Sequence, residues 1–268
     1  MMLGLDFDFL TRTSGEAMLH GMLVSLQVAG TALAVGLVWG TLLAIARLSP
    51  IKVLSWTSAL YVNFFRSIPL AMVLLGFYLV VPQLLKDLLP KGTQLDTRLM
   101  SALVGFSLFE SAYYAEIMRA GIQSVSKGQV AAAKALGLKP YQAMQSVILP
   151  QAVRNMLPLL LTQLIVLFQD TSLVYVIALA DFFTSAEGIG ERDGRIEEMM
   201  VVAGFVYLIV CFAASKLVSR LRIRTHCTSV INESFKKTLE LFGLTSTQNA
   251  RHGLMMSINS FVQTCKSF

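Results

Sequence analysis

Ser126 to Gln151 reads S-K-G-Q-V-A-A-A-K-A-L-G-L-K-P-Y-Q-A-M-Q-S-V-I-L-P-Q, a cationic, moderately polar island between long apolar blocks. Locally it reads as two short helices with a hinge. Gln129 to Leu136 is mostly Ala and Leu with Lys134, all good helix formers. Gly137 stands where a left-handed C-terminal cap is wanted. Pro140 suits the first turn of a second helix, where its missing N–H costs nothing. The residue before a proline resists the helical region, so that second helix is expected to end near Leu149-Pro150. The alanines give the first helix a flat face, the form of a part gripped by another protein. The plainer reading is an ordinary cytoplasmic loop.

The blocks around the island decide the fold class. Of 268 residues, 55% are hydrophobic and only 14% are charged, against about 25% in a soluble domain. Apolar runs of about 20 residues alternate with short charged segments, the mark of membrane-spanning helices. Five spans are expected, at about 18–46, 56–81, 99–118, 157–180 and 199–218. The second is broken near Pro69 and stopped by Pro82, and Val53 to Phe65 ahead of it is half apolar and suits the interface. Residues 181–198 read as a strongly acidic loop. Span one carries Gly36 and Gly40 at the G-x-x-x-G spacing that lets two helices approach closely, inside the protein or against a partner. The chain is thus read as an all-α membrane protein.

Orientation follows from the basic residues. The connectors 47–66, 119–154 and 216–224 hold three, five and four Lys or Arg and no acid. The other side holds Arg12, Lys86, Lys91, Arg98, Arg192 and Arg195 beside most of the acids. Residues 1–17 are then an outside lead, the C-terminus lies inside, and the 126–151 island is cytoplasmic. The net charge of +6 falls in alternate loops rather than along one face, which argues against nucleic acid. Three Cys and three His are scattered without ligand spacing, so no disulfide, metal or cofactor is expected. No basic n-region or cleavage site marks a removable signal peptide.

Gly128-Gln129, Ala132-Ala133, Gly137 and Ile148-Leu149-Pro150 resemble the EAA motif of ABC importer permeases, with Ala131 where the glutamate stands. Phe64-Phe65-Arg66-Ser67-Ile68-Pro69-Leu70, Ala112-Tyr113 through Glu116 to Arg119-Ala120-Gly121-Ile122, and Asp170-Thr171-Ser172-Leu173 resemble the polar amino-acid branch of that family. The resemblance covers about 18–224. It implies a type-1 importer permease fold in a bacterial inner membrane, with a polar amino acid as cargo, glutamate or aspartate first. It implies a second permease subunit (a paralogue), two ATP-binding subunits that grip a cytoplasmic coupling helix, and a periplasmic amino-acid-binding protein. Gly128, Gln129, Ala132, Ala133, Gly137, Ile148 and Pro150 would then form the ATPase-coupling surface. No catalytic residue is assigned, and the absence of a G-x-x-x-x-G-K-[ST] loop fits a chain that hydrolyses no ATP itself.

Polar residues inside the spans are the candidate pathway: Glu110, Gln163, Asp170, Thr171 and Ser172. A charge near the centre of a span costs about 2.5–3.5 kcal/mol on insertion scales and should face a pore or a partner. Gln163 and Asp170 are seven apart and share a helix face. Packing and helix-to-helix hydrogen bonding are the other readings of these groups. Glu116 can pair with Arg119 at i, i+3. No span shows an Arg or Lys near its centre, which sits badly with an anionic cargo. The alternative function is a proton-coupled secondary carrier using Glu110 and Asp170; five spans without an internal repeat argue against it. From Thr225 to Phe268 the chain turns Ser- and Thr-rich, with Ile231, Phe235, Leu239 and Phe242 on one stripe, and reads as a disordered or weakly helical tail.

Overall fold

Ile68 has an extended backbone just before Pro69, and there the chain turns by 106° between two apolar helices. Proline disfavours helical geometry in the residue ahead of it, which places the break. The helices are α2 (Lys52–Ser67) and α3 (Leu70–Leu88). This computed structural model describes residues 12–88 and 96–241, with side chains over 15–84 and 96–220. Among the described residues the other elements are α1 (Arg12–Arg47), α4 (Thr97–Gln123), α5 (Lys127–Ala135), α6 (Pro140–Ala143), α7 (Leu149–Asp170), α8 (Phe182–Asp193) and α9 (Ile196–Leu241), with no strand. The backbone packs as two units, one ending at Ala214 and one starting at Ser215.

Helix α4 is the centre of the first unit, packed by α1, α2, α3 and α7. Asp96 caps its start, accepting from the Arg98 and Leu99 amides. Among the described residues, three stretches are each long and apolar enough to cross a membrane: Gly15–Arg47, Pro140–Ile177 and Ile196–Arg220; Lys52–Ser67 and Leu70–Leu84 reach that measure only when the bent pair is taken as one span. The expected third span lies in α4, which carries Arg98, Glu110, Glu116 and Arg119. Burial explains how so polar a helix is kept: Phe106, Glu110, Ser111, Ala112 and Tyr114 are enclosed by protein, where polar groups meet partners rather than lipid.

The glycine pair of α1 faces inward. A Cβ on Gly40 would lie 2.9 Å from the Ser111 carbonyl and 2.9 Å from Tyr114 Cβ, and one on Gly36 would lie 3.1 Å from the Tyr114 ring. The G-x-x-x-G spacing therefore serves packing inside this chain. Val28, Ala32, Val62, Leu74, Phe106 and Leu167 join the same core. From α7, Gln163 Nε2 donates to both Glu110 carboxyl oxygens at 3.1 and 3.3 Å. Tyr61 of α2 meets the Ser111 hydroxyl at 2.9 Å and donates to the Leu108 carbonyl.

Three expectations need correction. The helix that opens at Pro140 does not end at Leu149-Pro150. It passes through one π turn, Met144–Ile148, into α7. A proline ring collides with the carbonyl four residues back, and the wider turn makes room for it. The Leu149 amide reaches five residues back to the Met144 carbonyl, and Gln151 Nε2 donates to the Val147 carbonyl at 3.0 Å. Nor does Pro82 stop α3, which runs through it; a packed apolar helix tolerates the one missing hydrogen bond. The acidic loop 181–198 is largely helical. Asp181 starts α8 by accepting from the Thr184 amide and hydroxyl, and Ser25 of α1 donates to its carboxylate at 3.4 Å. Gly194, in the left-handed region, ends it. Beyond the α7 end, Thr171–Ile177 form a 3-10 turn closed by left-handed Ala178, whose carbonyl accepts from Arg98.

Phe182, Ala186 and Ile189 of α8 pack with Met18 of α1 and with Met199 and Ala203 of α9, while Phe205, Leu208, Ile209 and Phe212 of α9 are exposed. In the second unit α9 continues to Leu241, so the tail is helical over 225–241. Residues 242–268 lie outside the described residues.

Two substitutions check this core. Gly40→Val forces the α1–α4 contact apart and should cost about 1–3 kcal/mol or more, lowering the Tm of the detergent-solubilised protein. Gly30→Ala, with open space around the position, should leave the Tm unchanged. Gln163→Leu strands the buried Glu110 carboxyl and should destabilise by about 1–3 kcal/mol. Adding Glu110→Leu should recover most of that loss, giving a coupling in a double-mutant cycle.

Candidate functional site

Three features of the first unit stand out: an exposed short helix, a cavity, and a cluster of arginines at the end of α4.

The exposed helix is α5, entered at Ser126. Its end is a Schellman motif: the Gly137 amide bonds the Lys134 carbonyl at 2.9 Å, and the Leu138 amide bonds the Ala133 carbonyl at 3.1 Å. Gly137 takes φ +77° there, a conformation that L side chains adopt only with strain. Ala133 and Ala143 are the buried contacts of the α5–α6 arm. Gly128, Ala132 and Gly137 are exposed, as is Pro150, while Gln129 and Ile148 are half-buried. Leu136 is 81% exposed and Tyr141 59%. Such apolar groups on a helix end of this length mark a surface that meets another molecule.

The cavity opens beside the α2–α3 break. It has a volume of about 430 Å³, within the range of small-molecule sites. Arg66, Ser67, Ile68, Pro69 and Leu70 line it from the break, Phe109 and Tyr113 from α4, and Gln163, Val166, Asp170 and Leu173 from α7 and the turn after it. Of the candidate pathway residues, Gln163 and Asp170 line the cavity. Glu110 stands behind the wall, bonded to Gln163. Thr171 and Ser172 do not line it: their hydroxyls donate to the Phe168 and Gln169 carbonyls, three residues back in α7. Asp170 is the last residue of α7.

Arg66 is the residue that the sequence reading left out of the site and counted with a cytoplasmic connector. It ends α2, and its guanidinium lies over the Tyr113 ring, 5.5 Å from the centroid. The signal was present in the sequence: a cation three residues before a proline that breaks an apolar run.

The cluster gathers around Glu116. Arg47 donates to it at 2.7 Å, Arg119 donates through two nitrogens, and Arg66 lies 3.9 Å away. The i, i+3 pair with Arg119 is therefore one part of a network that joins the ends of α1, α2 and α4. Asn155 of α7 adds a bond to Ser124, the residue after α4. Away from the spans, the exposed Arg192 holds the neighbouring Asp193 carboxyl below its ordinary range. Among the described residues no cluster of His, Cys, Asp and Glu has the makings of a metal site.

Comparison with known proteins gives this arrangement a context. Residues 36–226 match the family described as "Binding-protein-dependent transport system inner membrane component". The glutamate/aspartate import permease protein GltK of Escherichia coli O157:H7 is 57% identical over 208 residues, spanning 78% of this chain and 93% of that protein. The arginine transport system permease protein ArtQ of Bacillus subtilis (strain 168) is 33% identical over 72% of this chain and 84% of its own length. Among solved structures, an amino acid ABC transporter crystallised with histidines superposes with a TM-score of 0.71 at 30% identity, covering 79% of this chain and 95% of that one. The inward-facing MetNI methionine ABC transporter shares the fold, with a TM-score of 0.60 at 20% identity. The chain belongs to the family of inner-membrane components of binding-protein-dependent transport systems, and it is the permease subunit of an ABC importer.

Proposed function

We propose that this permease carries glutamate and aspartate inward across the inner membrane. The observation that carries the cargo assignment is the 57% identity with the glutamate/aspartate import permease over 93% of that protein's length. The complete importer would pair the chain with a second permease subunit (a paralogue), two ATP-binding subunits and a periplasmic amino-acid-binding protein. ATP hydrolysis would belong to the partner ATPases alone. The basic connectors support a five-span arrangement with the N-terminus outside and α5 and α6 in the cytoplasm. The importer family sets aside the reading as a proton-coupled carrier.

In the proposed mechanism the ATPases grip the exposed face of α5 around Gly128, Gln129, Ala132 and Gly137. Closure of the ATPases moves α5 and α6 as an arm. The arm continues without a chain break through the π turn beside Ile148 and Pro150 into α7, which ends at Asp170 on the cavity. The Glu116 network ties α1, α2 and α4 into the frame against which the arm works. ATP binding then biases two arrangements of one packed bundle through contacts that differ between them.

The deciding experiment is uptake of labelled L-glutamate into proteoliposomes holding this chain with its co-purified partners. Uptake should require both ATP on the ATPase side and binding protein on the other. Uptake that ignores ATP and follows a proton gradient would overturn the assignment. A second test addresses the arm. A β-branched residue at φ +77° costs about 1–2 kcal/mol, so Gly137→Val should cut uptake by about fivefold to thirtyfold with insertion and expression unchanged. Gly30→Ala, with open space around the position and no part in the arm, should transport normally.

A further inference from the structure

Tyr114 of α4 is completely enclosed, at 0% exposure. Its hydroxyl meets no hydrogen-bond partner among the described residues. Buried hydroxyls of native proteins are nearly always bonded, because a bare one forfeits the bonds it made to water. Neighbours on the same helix obey that rule. Ser101 and Ser111 donate to the Thr97 and Leu108 carbonyls, and the Glu110 carboxyl accepts from Gln163. A phenylalanine would fill the same space beside Gly36 and Gly40 without the cost. The Tyr114 hydroxyl thus points to a partner that another arrangement of the helices would supply.

The acceptor nearest to hand in the sequence is Glu110, four residues earlier. That spacing places two side chains on one helix face, with the later one leaning back over the earlier. Helix α1 touches both at one place: a Cβ on Gly36 would lie 3.1 Å from the Tyr114 ring and 3.4 Å from Glu110 Cβ. Glu110 is also the carboxyl whose charge reaches the Tyr114 hydroxyl, although no hydrogen bond joins them here. The present hold on Glu110 is a shared one. A single nitrogen, Gln163 Nε2, serves both carboxyl oxygens at 3.1 and 3.3 Å, toward the long end of the usual range. A carboxyl has room for further donors.

The two donors sit on different helices. Gln163 belongs to α7, the helix that continues from the arm, whereas Tyr114 belongs to α4 with Glu110 itself. A shift of α7 against α4 therefore takes Gln163 away and leaves Tyr114 in place. A buried carboxyl without a donor is costly, so the shifted arrangement calls for a substitute. We propose that Tyr114 is a positioning residue of the transport cycle: its hydroxyl donates to Glu110 when α7 carries Gln163 away, so that two donors on two helices serve one buried acceptor in turn. The proposal rests on the arm mechanism given above. It names the exchange that keeps two arrangements of the bundle close in free energy, each with one of the two donors engaged.

The test is the distance distribution between spin labels at Leu42→Cys in α1 and Leu159→Cys in α7, both exposed positions. Cys211, Cys227 and Cys265 are replaced by serine. The whole transporter is measured in lipid nanodiscs, without nucleotide and trapped with ATP and vanadate, in a labelled parent that keeps ATP-driven uptake. Two populations are expected, one at the distance of the arrangement described above. Tyr114→Phe should raise the share of that arrangement, by about tenfold or more in the ratio of the two, for the loss of a hydrogen bond to a carboxylate in the other. It should slow uptake of labelled L-glutamate without lowering the Tm. Gln163→Leu should move the ratio the opposite way, and the two substitutions together should bring it back toward the parent. A misfolded variant would not be restored by a second substitution. A parent whose distances respond to ATP while Tyr114→Phe leaves the ratio untouched would overturn the proposal alone. So would Tyr114→Phe and Gln163→Leu moving the ratio in the same direction. A parent whose distances ignore ATP while uptake persists would overturn the arm mechanism, and this proposal with it, and leave the importer assignment standing.

Discussion

A carboxylate facing lipid is costly, and α4 carries Glu110 and Glu116 within one apolar bundle. The rest of the first unit follows from enclosing them. Helix α1 comes close enough only because Gly36 and Gly40 leave no Cβ against Tyr114 and Ser111. Helix α7 supplies the Gln163 amide to Glu110, and the ends of α1, α2 and α4 supply guanidinium groups to Glu116. The helix least able to meet lipid thus sits innermost, and the most apolar stretches of α1 and α9 show their Leu, Val, Ile and Phe side chains outward.

That requirement also shapes the cavity. Arg66 can lie near Glu116 only if α2 ends beside α4, and α3 must then leave at a sharp angle to pack along the same helix. The cavity beside Pro69 lies at this break of 106°. The residue that completes the network at the base of the bundle is therefore also on the cavity wall. Arg66 thus has Glu116 on one side and the cavity on another.

Much of this was legible in the residues. Charge depletion and apolar runs gave the class, and the alanines and the Gly137 cap gave α5 and its end. The spacing of Gln163 and Asp170 put both on one wall. What misled was treating each proline as a local event. Pro82 and Pro150 do break a helix in isolation, yet a packed helix can lose one hydrogen bond, and a π turn can absorb one ring. Arg66 was missed for a related reason. Counting cations by loop assigns a residue to a side of the membrane, whereas a helix break lets a long side chain reach a place its position along the chain does not suggest. Thr171 and Ser172 looked polar enough to face a pathway, but short hydroxyls just past a helix end readily bond carbonyls of its last turn.

The π turn has a mechanical sense on the lever reading. An arm that moves α7 needs stiffness above the point of contact and some give at that point. Above Pro150, α7 is a continuous helix to Asp170, with Pro158 inside it. Below, α5 and α6 are separated by the left-handed turn at Gly137 and an extended Lys139. Between the two lies a turn whose register already departs from the α pattern, with the Val147 carbonyl held by the Gln151 side chain. A side-chain bond can be exchanged at less cost than a helix-long ladder of backbone bonds. On the proposed mechanism the segment Met144–Ile148 would be the place where motion of the arm meets least resistance before it becomes motion of the whole of α7, and the proline that prevents an ordinary α turn there would keep it so.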